Sequence, residues 1–281
     1  MKNKIYMTKL KNTQFPVVSA TVLALLCLGC LFADVLAPTD ASYMDLTSCL
    51  LPPSAVHLFG TDTLGRDLFS CIWHGGRVSV LIGLLSTLVA AVIAIVYGTI
   101  SGVATEWVGN LMVRFVEIVL SIPSLLLLIF LQAMFGEATV LSLSLLLGMT
   151  GWCGMAVIVR TEVRKLRESG YVIAAKCMGS SNVHLLVCHY IPNFFASIMF
   201  MLVMNVRTAI VAEATLSFMG LGLPLEIISW GSLLSLAEDA VMSGAWWVIL
   251  IPGLFLIGFL FCLTNIGHWM QRQIRHRESM L

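Results

Sequence analysis

Charged residues are scarce in this sequence: Asp, Glu, Lys and Arg make up 11% of the 281 residues, whereas ordinary soluble domains contain about 25%. Hydrophobic residues make up 59%. This balance excludes a soluble globular domain, and it excludes a disordered chain, because so much aliphatic surface would not stay solvated. The formal net charge is only +1, so the chain has no excess of positive charge for binding nucleic acid. A polytopic membrane protein is the class that remains.

The sequence also lacks the motifs of common enzymes and nucleotide-binding proteins. It contains no Gly-x-x-x-x-Gly-Lys-Ser/Thr loop for phosphates, no His-Glu-x-x-His zinc motif and no Gly-x-Ser-x-Gly nucleophile motif. We therefore predict that the chain is not an enzyme, carries no cofactor and does not hydrolyse ATP by itself. His57 and His74 have no adjacent pattern of Cys or carboxylate residues, so we predict no metal site.

Six stretches without a charged residue are long enough to cross a bilayer, which takes about 20 apolar residues per helix. They are residues 12–33, 78–105, 118–136, 138–159, 177–206 and 240–271. The last two exceed the length of one span, so we place their helices near 192–211 and 245–266. The predicted fold class is therefore an all-α polytopic membrane protein with six transmembrane helices.

The distribution of Lys and Arg predicts the orientation of these helices. With six spans both termini lie on one side, and 13 of the 16 Lys and Arg residues fall on that side. Since cytoplasmic loops are enriched in Lys and Arg, we predict that both termini are cytoplasmic. Ten of the 15 acidic residues, Glu213 among them, then fall on the extracytoplasmic side.

This topology divides the chain into consecutive parts. They are a cytoplasmic N-terminal segment (1–14), a first transmembrane helix (15–36), an extracytoplasmic segment (37–77), a core of five transmembrane helices (78–270) with a cytoplasmic loop (160–191), and a cytoplasmic tail (271–281). The sequence leaves open whether Cys49 and Cys71, both in the extracytoplasmic segment, form a disulfide.

Few ionisable residues fall inside or next to the predicted spans. Arg114 and Glu117 stand near one end of the third span, and Arg207 stands near one end of the fifth. These positions favour side chains that reach the membrane surface over members of a transport pathway. No series of buried carboxylates or histidines resembles a proton relay, so a proton-driven secondary transporter is only weakly supported.

The cytoplasmic loop 160–191 is far longer than a turn between neighbouring spans requires. Its residues predict a helix, a stop at Gly179 and a second helix at 183–189. Pro192 then opens the next span. We therefore predict a structured loop made of helix, glycine turn and helix.

The first predicted helix of the 160–191 loop carries an apolar face. Its apolar residues recur as Val172, Ala175 and Met178. An apolar helix held outside the bilayer suits docking into a groove on a soluble partner. The alternative is a loop that packs on its own chain.

Several residues of this loop resemble the Glu-Ala-Ala loop of ABC importer permeases. Ala174 and Ala175 are followed by Gly179 and, after 12 further residues, by Pro192. The end of the loop resembles that of the dipeptide, oligopeptide and nickel branch, in the run His189-Tyr190-Ile191-Pro192-Asn193. Ile173 stands where the family usually has the glutamate that names the loop, so a charged contact to an ATPase is not carried over there.

Further motifs occur in the order and spacing of the same branch, and the resemblance covers roughly residues 15–270. They are Phe59-Gly60-Thr61-Asp62 with Gly65-Arg66-Asp67 and Ser70, Gly76-Arg77-x-Ser79, Ser121-Ile122-Pro123, Ser217-Phe218-Met219-Gly220-Leu221-Gly222 and Ser229-Trp230-Gly231. Cys71 replaces a basic residue of many relatives. The C-terminal residues Ile274 to Arg277 lack the Gly-Asp and Asp-Pro pattern of the branch.

The resemblance implies a type I ABC importer permease fold in a bacterial-type plasma membrane and a function as a transmembrane permease subunit. It implies a second homologous permease, two cytoplasmic ATPase subunits that bind ATP and Mg, and an extracytoplasmic solute-binding protein as partners. The expected cargo is a di- or oligopeptide, with nickel or a chelated metal as the alternative. A stand-alone secondary transporter or channel is a weaker alternative, and a membrane enzyme is disfavoured.

The resemblance also implies which residues carry out these contacts. The ATPase-coupling residues would be Tyr171, Ala174, Ala175, Gly179, His189, Ile191, Pro192 and Asn193. A second group would either face the binding protein or seal the pathway, and it consists of Gly60, Thr61, Asp62, Gly65, Arg66 and Asp67.

Overall fold

The computed structural model describes residues 15–278 except 38–40, 225, 237–239 and 241. The predicted N-terminal segment 1–14 and the last three residues of the predicted tail lie outside the described residues. The described residues form helices joined by turns, with one isolated antiparallel bridge between Thr61 and Asp67. The all-α fold class is therefore confirmed.

Some helices follow one another directly, whereas others are separated by longer segments such as residues 41–67. In chain order they are α1 (Val17–Leu31), α2 (Ala33–Leu36), α3 (Leu68–Val103), α4 (Glu106–Ser121), α5 (Ser124–Phe135), α6 (Val140–Gly151), α7 (Cys153–Arg167), α8 (Gly170–Cys177), α9 (Asn182–Leu185), α10 (Ile191–Phe218), α11 (Trp230–Ser235) and α12 (Trp247–Glu278). A short 3-10 turn spans Leu46–Ser48, and a π-helical turn spans Leu186–Tyr190.

Helix α3 is the central element of the bundle. It has 36 residues and is therefore roughly 54 Å long, and it packs against α6, α7 and α10. At Gly98, a Cβ atom would lie 2.6 Å from the Ala156 carbonyl oxygen of α7, so only glycine allows this approach. The two ends of α3 carry the two groups of residues that the sequence selects.

The described residues contain three helices that are long and apolar enough to cross a membrane by themselves. They are α3, residues 197–218 of α10 and residues 247–274 of α12. Two bent pairs raise the number to five if each pair counts as one span: α4 with α5, bent by 85°, and α6 with α7, bent by 47°. Helix α1 is apolar but has only 15 residues.

The helices of the fifth and sixth predicted spans are longer than predicted. Helix α10 continues to Phe218 instead of ending near 211, and α12 continues to Glu278 instead of ending near 266. A prediction from the length of a bilayer underestimates such helices, because a helix continues wherever neighbouring helices cover its side chains. The bend between α4 and α5 occurs at Pro123, where a proline prevents a continuous α-helix.

Candidate functional sites at the two ends of α3

The 160–191 loop is continuous with a long helix on each side. The charged residues 162–167 form the last part of α7, and α8 follows after a two-residue turn. Helix α9 and the π-helical turn then lead into α10 without a break. The loop is therefore connected to α7 by a short turn and to α10 by continuous helix.

Gly179 ends α8 as the sequence predicts. Its φ angle is +87°, in the left-handed region that glycine adopts without steric cost. The Gly179 N–H donates to the Lys176 carbonyl over 3.0 Å, and the Ser180 N–H donates to the Ala175 carbonyl over 3.2 Å. These two hydrogen bonds form a Schellman motif, which turns the chain sharply after α8.

The buried side of α8 differs from the prediction. Val172 and Ala175 are almost fully buried, in one apolar cluster with residues of α3, α7 and α10. The prediction that both residues dock on a partner is wrong, because their own chain already covers them. Met178, with 81% of its surface exposed, does lie on the open side.

The open side of the loop carries a different set of apolar side chains. They are Tyr171, Ile173, Met178 and Val187, each with close to half or more of its surface exposed. Ala174 is exposed beside them. A cleft next to this surface is lined by Arg167, Ile173 and Lys176, among others, so positive charge adjoins the apolar residues.

The residues at the end of the loop form one continuous helical turn. Ile191 donates its N–H to the Leu186 carbonyl, which is the i to i−5 pattern of a π-helix. Pro192, which has no N–H to donate to the preceding turn, follows directly in the first turn of α10. The predicted helix 183–189 does not end before Pro192, and that boundary is wrong.

Two further residues of the predicted set support this turn. The Asn193 side-chain amide donates to the His189 carbonyl over 2.6 Å. The His189 ring lies 6.0 Å from the Tyr171 ring, measured between centroids. The structure therefore brings the start and the end of the predicted coupling set together on the 160–191 loop.

At the opposite end of α3, residues 59–77 contain a buried ion pair. The Arg66 Nε atom lies 2.7 Å from Asp62 Oδ2, and the two side chains are 2% and 0% exposed. Asp62 Oδ1 also accepts the backbone N–H groups of Leu64 and Arg66, over 2.8 and 2.9 Å. Residues 60–67 thus form a polar turn in which the side chains of Asp62 and Arg66 are buried in the protein.

Thr61 joins this turn to two other segments. Its hydroxyl donates to the Ser48 carbonyl over 2.6 Å and accepts the Leu51 N–H over 2.8 Å. Its carbonyl accepts the indole N–H of Trp247, at the start of α12, over 3.1 Å. Thr61, Asp62 and Arg66 are thus buried and form no surface for a partner.

Gly60 and Gly65 allow this turn to close. Their φ angles are +79° and +71°. A Cβ atom on Gly60 would lie 2.6 Å from the Leu51 carbonyl oxygen, and a Cβ atom on Gly65 would overlap the Asp45 carbonyl oxygen. Both positions therefore require glycine for conformation and for space.

Asp67 connects the turn to α3. Its carboxylate accepts the Ser70 N–H over 3.0 Å and so caps the N-terminus of α3. The other carboxylate oxygen lies 3.0 Å from His57 Nδ1. Among the described residues, no three His, Cys, Asp or Glu side chains lie together as a metal site.

The surroundings of this turn contain exposed apolar residues and free thiols. Tyr43, Leu46, Val56 and Leu58 each expose more than half of their surface. Cys49 and Cys71 are both free thiols, so the structure holds no disulfide between them. Hydrogen bonds from Thr47 and Ser48 hold the pKa of the nearby Asp45 carboxyl below its ordinary value.

Glu213 is a buried acid that the sequence patterns above do not identify as buried. The residue lies near the end of α10, and its side chain is fully buried instead of exposed in a loop. Its carboxylate accepts hydrogen bonds from the hydroxyls of Ser79, Ser217 and Ser229, over 3.2, 3.0 and 2.7 Å. The sequence does carry a signal for it, since Glu213 is the only charged residue between Arg207 and Glu226.

Comparison with known proteins places these features in a family. The family described as "Binding-protein-dependent transport system inner membrane component" matches residues 94–276, about two thirds of the chain. This match includes the whole 160–191 loop and the helices on both sides of it. The match begins at residue 94, within α3, and so does not include the turn at residues 59–67.

Individual relatives extend the match over nearly the whole chain. The dipeptide transport system permease protein DppC of Bacillus subtilis is 32% identical over 94% of this chain and 82% of its own length. The oligopeptide transport system permease protein OppC of the same organism is 33% identical over 93% and 83%. The probable D,D-dipeptide transport system permease protein DdpC of Escherichia coli is 34% identical over 92% and 84%. The chain therefore belongs to the binding-protein-dependent transport system inner membrane components, and it is a permease subunit of the ABC importer type.

Proposed function

We propose that the chain is one of two permease subunits of an importer that carries di- or oligopeptides into the cell. A second homologous permease, two ATPases that bind ATP and Mg, and an extracytoplasmic solute-binding protein complete the complex. The relatives named above are dipeptide and oligopeptide permeases, and this favours peptides over nickel as cargo. The chain itself contributes the path, and its partners contribute hydrolysis and capture of the solute.

The observation that carries this proposal is the structure of the 160–191 loop. It contains a short helix, α8, with an exposed apolar side, which follows α7 after a two-residue turn and ends at Gly179, and the second half of the loop runs without a break into α10. A loop of this kind transmits force well, because no flexible linker separates the docking surface from the membrane helices. ATP-driven closure of the ATPases would pull on it and tilt both helices.

The surface offered to the ATPase consists of Tyr171, Ile173, Met178 and Val187, with Arg167 and Lys176 beside it. Exposed apolar residues flanked by charge are typical of protein interfaces. Ile173 replaces the family glutamate here, so docking at this position relies on apolar contact. We expect a groove on the ATPase with apolar walls and an acidic rim.

The surface offered to the binding protein lies at the other end of α3. The buried residues Thr61, Asp62 and Arg66 keep this end rigid, while Tyr43, Leu46, Val56 and Leu58 are open to a partner. We therefore assign to the turn at residues 60–67 a role in shaping the surface, and we assign the contact itself to these exposed residues.

The first test concerns the membrane topology. In a cysteine-free background, we expect a membrane-impermeant maleimide added to intact spheroplasts to label a cysteine at Ser54→Cys. The native Cys177, retained as the single cysteine, is exposed on the 160–191 loop and is expected to react only after permeabilisation. If the chain has six spans, this labelling pattern also implies that residues 1–14 and 271–281 are cytoplasmic. Labelling of Cys177 in intact spheroplasts would contradict this topology.

The second test concerns the dependence on ATP. We expect proteoliposomes that contain the whole complex to accumulate a labelled dipeptide when ATP is supplied on the ATPase side and the binding protein on the other. The chain alone is expected to show no uptake and no ATP hydrolysis, since it has no phosphate-binding loop. Nucleotide-independent uptake by the chain alone would favour the secondary transporter instead.

A further inference from the structure

The Glu213 carboxylate is the meeting point of three segments of the chain. Ser79 belongs to α3, Ser217 belongs to α10 together with Glu213, and Ser229 precedes α11. We call these four residues the Glu213 cluster. All four side chains are buried, and three of them are completely inaccessible.

The Glu213 cluster attaches α11 to the bundle. Ser229 donates to Glu213 Oε1 over 2.7 Å, and the Trp230 N–H donates to the Ser79 hydroxyl over 3.1 Å. The Trp230 indole donates to the Ile72 carbonyl over 3.0 Å. At Gly231, a Cβ atom would lie 2.6 Å from the Ala214 Cα atom, so the two backbones touch. Helix α11 is therefore fixed on both α3 and α10.

Packing alone does not require a carboxylate at this position. A buried acid loses its hydration, and an apolar side chain of similar volume often stabilises such a site equally well. A carboxylate makes the relative position of its partners more specific, because its hydrogen bonds weaken steeply when donor and acceptor move apart or lose their alignment. The Glu213 cluster therefore specifies one relative position of α3, α10 and α11.

Helix α10 connects the Glu213 cluster to the 160–191 loop. It runs without a break from Ile191 at the loop to Phe218, and 22 residues separate Ile191 from Glu213, which is roughly 33 Å of helix. A tilt of α10 displaces Glu213 relative to Ser79 on α3, whereas Ser217 moves together with Glu213. The Glu213–Ser79 hydrogen bond thus depends on the position of α10 relative to α3, whereas the Glu213–Ser217 hydrogen bond does not.

We propose that Glu213 is a positioning residue for transport: its hydrogen bonds across to Ser79 and Ser229 hold α11 over the bundle in the resting state and break when α10 moves. This proposal rests on the proposed function, since the motion of α10 is the motion imposed by the ATPases. An interaction present in only one of two states shifts their populations when it is removed. Loss of the cross-helix bond therefore favours the ATP-closed state.

The test compares two serine variants in the complete complex in lipid nanodiscs. Ser79→Ala removes the bond between α3 and α10 together with the acceptor of the Trp230 N–H, so it weakens both attachments of the cluster to α3. Ser217→Ala removes a hydroxyl–carboxylate bond that lies within α10. Without the binding protein, we expect ATP hydrolysis to rise about fivefold in Ser79→Ala, the ratio that corresponds to about one net hydrogen bond. Ser217→Ala is expected to change it less than twofold. Equal changes in the two variants, or no rise in Ser79→Ala, would overturn the proposal.

Hydrogen exchange in the wild-type complex provides a direct readout. Because the Trp230 amide donates to Ser79, the peptide around residues 229–236 is expected to exchange slowly without nucleotide and faster when vanadate traps the ATP-closed state. Identical exchange in both states would show that the Glu213 cluster is static and would refute the proposal. ATP-driven peptide uptake, measured on the same wild-type complex, tests the proposed function separately.

Discussion

Gly179→Val is expected to abolish transport while the permease still inserts into the membrane. Gly179 adopts a φ angle of +87°, where a side chain costs about 1–2 kcal/mol and a β-branched one more. No atom lies within 4 Å of a Cβ atom built there, so valine strains the backbone without a collision. The strain is released most easily by unwinding the Schellman turn, and the helices of the bundle are not involved.

The consequence of this change is a misdirected docking surface. Tyr171, Ile173 and Met178 precede the turn, and Val187 follows it, so a changed turn separates the two parts of the surface. We expect peptide uptake to fall at least tenfold and the ATPases to be lost during purification. Membrane insertion and expression are expected to stay near wild-type levels. Uptake, co-purification and membrane yield measure these three effects.

The matched control is Gly136→Val. Gly136 has a φ angle of +78° and likewise has no atom within 4 Å of a built Cβ atom, but it lies between α5 and α6, outside the loop. A valine there also strains the backbone, at φ +78° and ψ −139°, without touching the coupling surface. Gly109 is unsuitable as a control, because a Cβ atom there would lie 2.9 Å from the Ser101 carbonyl oxygen. Equal loss of transport at Gly179 and Gly136, or normal transport in Gly179→Val, would contradict the role of the loop.

The features that the sequence predicts well are those with a local cause. Gly179 ends a helix because only its own backbone conformation is involved. The all-α class follows from composition in the same way. Each of these predictions depends on residues close together in the chain.

The features that the sequence does not predict depend on distant residues. Val172 and Ala175 look like an open apolar face, but α3 and α7 cover them, and nothing near them in the chain indicates this. Glu213 is similar, because its partners Ser79 and Ser229 stand 134 and 16 residues away. A charge count assigns such an acid to the surface, whereas three hydroxyl donors make it compatible with burial.

The second large effect is expected from Arg66→Met. This change leaves the Asp62 carboxylate buried without the guanidinium that pairs with it at 2.7 Å. Breaking one partner of a buried ion pair costs about 3–5 kcal/mol, because the remaining charge is uncompensated. We expect the unfolding midpoint of the purified permease to fall by about 10 °C. Thermal unfolding in detergent, followed by the loss of the monodisperse peak, measures this shift.

Two further variants separate the charge from the fold of the turn. Adding Asp62→Asn to Arg66→Met removes the uncompensated charge and keeps an oxygen that accepts the Leu64 and Arg66 N–H groups, so the double variant is expected to regain part of the lost stability. Arg114→Met breaks an ion pair whose side chains are 77% and 53% exposed, and exposed pairs contribute about 0–1 kcal/mol. A similar shift in Arg66→Met and Arg114→Met would mean that burial of the Asp62–Arg66 pair does not hold this end of α3. A double variant less stable than Arg66→Met would mean that the shape of the aspartate, and not its charge, fixes the turn.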